Sequence, residues 1–141
     1  MQKGGPIVVI EDDMDDQQLL EETFTFLNYP NEIIFFTSGY KALEYIEKTD
    51  VQPFLILSDI NMPEIDGFAL KKMIQENEGL KVRCIPYLFF TTGVDKKGVF
   101  DAYSMSAQGF FIKPSTMTGL QDTVRKIVEY WKECHAPSQY I

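Results

Sequence analysis

Four short apolar runs in this chain each break off, on the carboxyl side, at a residue bearing a carboxylate, a hydroxyl or an ammonium. Residues 6–10 lead into Glu11-Asp12-Asp13 and residues 54–58 into Asp59. Residues 87–90 lead into Thr91-Thr92, and 109–112 into Lys113-Pro114. Uninterrupted β-branched and aromatic runs of this length read as strands covered on both faces, which is the habit of parallel sheets. Helical patterns fill the intervals. Residues 15–27 carry Leu19, Leu20, Phe24 and Leu27 at helical spacing, behind an acidic start that suits the positive end of a helix dipole. Asn28-Tyr29-Pro30-Asn31 stops that helix, 32–36 is a second strand, and Ser38 can cap a helix with Leu43, Tyr45 and Ile46 on its inner face.

After the third strand, Pro63 and Gly67 occupy a loop, and Phe68, Leu70, Met73 and Ile74 open the next helix. Pro86 is tolerable only at the start of a strand over 85–90. A helix over 96–106, a short strand at 110–112 and a helix over 116–133 complete the chain. Leu120, Val124, Ile127, Val128 and Trp131 form the core stripe of that last helix. The alternation predicts five β-α units and nothing else, an α/β fold with a doubly wound parallel sheet.

With 141 residues, one domain is expected, divided as a unit over 1–133 and a short tail over 134–141 in which Pro137 and Ser138 mark a frayed end. A hydrophobic content of 45% is enough to build a core. Net charge is −8, from 21 acids against 13 bases, which argues against nucleic acid or an anionic membrane as a main partner. Lys71-Lys72 and Lys96-Lys97 read as solvated helix faces. Cys84 reads as a half-buried small hydrophobe and Cys134 as a free thiol. Neither has metal-ligand spacing, and both fit a reducing cytoplasm. No run approaches the ~20 residues of a membrane span.

In a flavodoxin-like sheet of order 2-1-3-4-5, ligands bind beyond the carboxyl ends of the strands, where the winding reverses between strands one and three. Those strands would deliver Glu11-Asp12 and Asp59 to one place. Two carboxylates ~4 Å apart repel by roughly 4 kcal/mol at an effective dielectric of ~20. The cluster therefore needs a cation. Lys113 supplies one charge, and an oxygen-only donor set with room for water points to Mg²⁺ rather than zinc.

The residues Val8-Val9-Ile10-Glu11-Asp12-Asp13, Ser58-Asp59-Ile60-Asn61-Met62-Pro63 with Asp66-Gly67, Phe90-Thr91-Thr92-Gly93 and Phe110-Phe111-Ile112-Lys113-Pro114 resemble, in this order and spacing, the receiver domain of two-component response regulators. The likeness is to the single-domain chemotaxis type and runs from about Ile7 to Trp131. It implies that Asp59 is the phosphoacceptor and that Mg²⁺ is held by Asp12, Asp59 and the backbone carbonyl of Asn61, with Glu11 reaching it through water. Asp13 then lies outside that set. Thr91 and Lys113 would bind the phosphoryl oxygens, with a cis Lys113–Pro114 bond aiming the lysine inward. Thr91 and Phe110 would form the switch, while Asn61 and Gly93 stand where family members tune dephosphorylation and the bulk of Thr92 would narrow access to Asp59.

The same resemblance implies a sensor histidine kinase or hybrid kinase as donor, and a protein target on the face made by the fourth helix, fifth strand and fifth predicted helix. Tyr103, Phe110, Tyr130 and Trp131 are candidates for that face, Trp131 standing equally for the core. A homodimer is a further possible assembly. No DNA-binding, catalytic or linker sequence follows the last helix, so the output is expected to be a protein contact. The lone His135 is a poor relay histidine. Two other readings compete. A pseudo-receiver scaffold has no need to keep repulsive acids together. A phosphohydrolase would need a second acid two residues after Asp59, where Asn61 stands.

Overall fold

The computed structural model describes residues 1–93 and 96–136. Its elements, in order, are β1 (Ile7–Ile10), α1 (Met14–Leu27), β2 (Ile33–Phe36), α2 (Gly39–Lys48), β3 (Leu55–Ser58), α3 (Gly67–Glu76), α4 (Glu78–Lys81), β4 (Tyr87–Thr91), α5 (Lys96–Ser104), β5 (Gly109–Ile112) and α6 (Met117–Glu133). All pairings are parallel, and the order is β2-β1-β3-β4-β5. The doubly wound, flavodoxin-like sheet read from the sequence is therefore present. The expected frayed end at Pro137 and Ser138 lies outside the described residues.

Alternation along the strands divides the core into two layers. Val8, Ile10, Ile56, Tyr87 and Phe89 face α2, α3, α4 and α5, meeting Ala42, Ile46, Leu70, Leu80 and Ala102. Ile7, Val9, Leu55, Leu57, Leu88 and Phe90 face α1 and α6, meeting Leu20, Phe24, Leu120, Val124 and Val128. Both faces of the sheet are covered, so the central strands β1, β3 and β4 are buried throughout and mostly apolar.

Helix starts follow side-chain chemistry. Asp13 caps α1 by accepting from the amides of Asp15 and Asp16, Asp66 caps α3, and Thr116 caps α6. Ser38 stands at the N-cap of α2, yet its side chain makes no capping hydrogen bond.

The structure departs from the sequence reading in several places. A sixth helix, α4, adds one turn between α3 and β4, so five β-α units are not the whole chain. Asn77 nucleates it by accepting from Leu80 N–H at 3.1 Å. The helix expected over 96–106 is α5, which stops at Ser104, and Ser106 takes a left-handed φ of 60°. Leu19 and Met73 are exposed, because Leu20 with Phe24 and Leu70 with Ile74 already fill the inward stripes. Lys71 is buried and Cys84 is exposed, each the reverse of its reading. Trp131 is half-buried against the α1–α6 layer and edge-on to the exposed Tyr130.

The turn from β3 into α3 is unusually close. Gly67 N–H donates to Ile60 O at 2.8 Å, and a Cβ on Gly67 would lie 2.2 Å from the carbonyl oxygen of Asp59. Only backbone movement can relieve such a contact. Gly67→Ala is expected to lower stability by about 2–3 kcal/mol in urea unfolding. A loss under about 0.5 kcal/mol would show that the turn can open freely.

Candidate functional site

The carboxyl ends of β1, β3, β4 and β5 meet at one rim. The backbone sets this alignment: Asp59 N–H donates to Ile10 O at 3.0 Å and Lys113 N–H to Thr91 O at 2.7 Å. Asp59 is half-buried at the centre. Its Oδ1 accepts from Thr91 Oγ1 at 2.7 Å and from the amide of Ile60 at 2.7 Å. Its Oδ2 lies 3.7 Å from Lys113 Nζ. The Thr91 hydroxyl belongs to a buried residue, so its hydrogen bond is shielded from competing water.

Lys113 is the cation of the rim. Its ammonium donates to Glu11 Oε2 and lies 3.3 Å from Asp16 Oδ2. No cis peptide occurs among the described residues, so the expected cis Lys113–Pro114 bond is not present. The strand end itself aims the side chain, since β5 is locked to β4 and three carboxylates draw the ammonium inward. Burial pulls the Lys113 pKa down, but the hydrogen bond to Glu11 and the charges of Glu11, Asp59 and Asp16 outweigh it and hold it above the ordinary value.

Glu11 is 1% exposed, and its other oxygen accepts from Asp13 N–H at 3.0 Å. Burial raises its pKa from 4.5 to about 7 despite the opposing hydrogen bond and charge of Lys113. A carboxyl with a raised folded pKa stabilises most below its unfolded value. That contribution is lost as pH rises through the folded value. The metal-free protein is therefore expected to lose stability between about pH 4.5 and 7. Chemical unfolding in a chelator across that range checks it, and a flat or rising profile would contradict the burial argument.

Carboxylate oxygens of Glu11, Asp12 and Asp59 all lie within 4.8 Å of one another. An all-oxygen group of this size fits a hard divalent cation of the Mg²⁺ type. Lys113 holds Glu11 from the far side, which leaves Asp12 and Asp59 as the freer donors. Asp13 spends its carboxylate on the α1 cap and stands apart. Asn61 is exposed two residues beyond Asp59, and Thr92 and Gly93 are exposed beyond Thr91. Gly93 has φ +86°, a conformation other residues adopt only with strain. Phe110 is half-buried, its ring 6.0 Å from that of Phe89.

Two participants were not foreseen. Asp16 reaches the rim because α1 begins at Met14, which places it in the first turn beside the end of β1. The Ile60 amide reaches it because the chain turns sharply after β3. The helix start of α1 could have indicated the first of these. Only the folded turn shows the second.

The model of the response regulator receiver domain matches residues 7–125. The chain belongs to that family. As a receiver domain of the two-component type, it has relatives that include the probable methanogenesis regulatory protein FilR2 of Methanothrix harundinacea. That protein is 29% identical over 129 residues, spanning 89% of this chain and 82% of its own length. The crystal structure of the phosphorylated cyanobacterial phytochrome response regulator RcpA is similar, with a TM-score of 0.83 at 26% identity, over 94% of this receiver and 97% of RcpA. The Mn²⁺-bound form of response regulator Rcp1 gives 0.79 at 26% identity, over 93% and 97%. Among the described residues, no helix of the receiver is long and apolar enough to cross a membrane.

Proposed function

We propose that Asp59 accepts a phosphoryl group in a Mg²⁺-dependent transfer, and that the modified receiver changes its protein contacts. One observation carries this reading: a hydroxyl and an ammonium converge on a single carboxylate that also belongs to a three-acid cluster. An Asp59 oxygen would form the new bond to phosphorus. The bond from phosphorus to the histidine nitrogen of a sensor or hybrid kinase, or to the oxygen of a small acyl phosphate, would break with its electron pair leaving on the donor. Asp12, Asp59 and the Asn61 carbonyl would hold Mg²⁺, with Glu11 reaching it through water, and the bound ion would supply charge compensation for the transferring group. Thr91 and Lys113 would hold the phosphoryl oxygens, and hydrolysis of the acyl phosphate would return Asp59, with Asn61, Thr92 and Gly93 lining its approach.

The switch in this reading is Thr91 with Phe110. Drawn toward a phosphoryl group, Thr91 would leave Asp59 Oδ1 and free space beside Phe110. A target protein would then read the face of α5, β5 and α6, where Phe100, Tyr103, Ile112 and Tyr130 are exposed. Residues 1–133 would constitute the receiver unit, with 134–141 a tail.

The test is incubation with Mg²⁺ and acetyl phosphate or beryllofluoride, read by intact mass and by fluorine NMR. Stoichiometric, Mg²⁺-dependent modification is the expected result. Wild-type protein that stays unmodified under saturating donor would leave a scaffold of the same fold instead.

A further inference from the structure

Lys71 is 7% exposed, although its neighbour Lys72 is exposed. Its position on α3, between Leu70 and Ile74 on the inward stripe, turns its stem into the core. Among the described residues the ammonium has no hydrogen bond or ion pair. It lies over the face of the Tyr87 ring, 5.8 Å from the centroid, near the ~6 Å limit of a cation–π interaction. The Tyr87 hydroxyl is turned elsewhere, donating to Gly67 O at 3.0 Å. Burial alone lowers the Lys71 pKa, with no carboxylate opposing it. A buried cation without a counter-charge is an unusual thing to keep.

Beside Lys71 lies a cavity of about 360 Å³. It sits at the amino-terminal edge of β4 and β5, where Pro86 and Gln108 precede the strands, roughly 13 Å of strand away from the Asp59 rim. Lys81 is a second lysine on its lining, and among the described residues no aspartate or glutamate lines it. Gln75, Ser106, Gln108 and His135 add polar groups to the lining, and Ile74, Leu80, Ile85 and Trp131 supply an apolar wall. An apolar chamber of ~300–1,000 Å³ with few convergent polar groups is the form of a small-molecule site.

We propose that this cavity binds a small organic anion, its carboxylate on the Lys71 ammonium and its apolar body against Ile74, Leu80, Ile85 and Trp131. The anion supplies the missing counter-charge, and the apolar wall gives affinity that a free inorganic ion lacks. The site is independent of phosphoryl chemistry at Asp59.

Trp131 is the only tryptophan of the chain, so its fluorescence reports on the wall directly. Titration with 4-phenylbutyrate is expected to give a saturable change with a midpoint at or below about 1 mM. 4-Phenylbutyramide, which lacks the charge, and inorganic phosphate, which lacks the apolar body, should each bind at least about tenfold more weakly. Lys71→Met keeps the stem and removes the charge, and should weaken phenylbutyrate at least about tenfold without lowering the thermal midpoint. In a Cys134→Ser background with Lys71 intact, phenylbutyrate should slow alkylation of Cys84, which also lines the cavity. Absence of saturation by about 10 mM, equal affinity in Lys71→Met, equal binding of the amide, or unprotected Cys84 would each overturn the proposal.

Discussion

Asp59→Asn is expected to abolish phosphoryl incorporation, reducing it by at least about 1,000-fold, because a neutral amide oxygen is a poor nucleophile. The same substitution is expected to raise the thermal midpoint of the metal-free protein. Asparagine preserves shape, and its Oδ1 can keep the bonds from Thr91 Oγ1 and Ile60 N–H. It removes one negative charge from a group in which Glu11, Asp12, Asp16 and Asp59 face a single lysine. The lost attraction to Lys113 at 3.7 Å offsets part of the relieved repulsion. A net gain of about 1 kcal/mol, or several degrees in midpoint, remains. Adding Mg²⁺ should reverse the order, since wild type gains more from a cation that both its carboxylates can hold. Calorimetry in chelator and in excess Mg²⁺ measures both. A lower midpoint in chelator would refute the repulsion account, and undiminished incorporation would place the acceptor on another residue.

Lys113→Ala is expected to be the most damaging change to the metal-free fold. It strips Glu11, at 1% exposed, of its only close cation and leaves Asp16 and Asp59 uncompensated. Breaking a buried pair by removing one partner costs about 3–5 kcal/mol. Glu11 offers a partial escape, since burial already raises its pKa and it can take up a proton once the lysine is gone. The deficit should therefore be larger at pH 8 than at pH 5.5. Urea unfolding of wild type and variant at the two values decides this. Equal deficits would mean that Glu11 is not the group left exposed to the loss. Phosphoryl incorporation in the variant should fall by about 100-fold or more, as expected when a charged donor to the transferring group is removed.

The rim was legible in the sequence because its logic is topological. Parallel strands place all their carboxyl ends together, so residues following four apolar runs had to meet. The alternation indicated a parallel sheet, while the order β2-β1-β3-β4-β5 was expected from the flavodoxin-like class. What escaped were features set by neighbours rather than by period. The single turn of α4 is too short to show periodicity and depends on one Asn77 cap. Lys71 looks solvated beside Lys72, and only the packing of α3 against Tyr87 shows its stem inward. Cys84 follows an abrupt turn and carries φ 52°, which turns it out of the apolar edge it adjoins in sequence. The orientation of Lys113 required no cis bond once β5 was locked to β4. Trp131 was balanced between surface and core, and it lies half-buried at that boundary.

The two-layer core gives the rim a handedness. Along β4, Tyr87 and Phe89 point to the α2–α5 side, while Leu88 and Phe90 point to the α1–α6 side. Thr91 follows in the odd phase, opposite Ile112 in register, just as Phe89 is opposite Phe110. Under the proposed switch, movement of the Thr91 hydroxyl would act first on the side of the sheet that carries Tyr87 and Phe89. A single residue inserted into β4 ahead of Thr91 would turn either Thr91 away from Asp59 or the preceding side chains into the opposite layers. Which layer each side chain of β4 joins is decided by parity, counted along five residues of one strand.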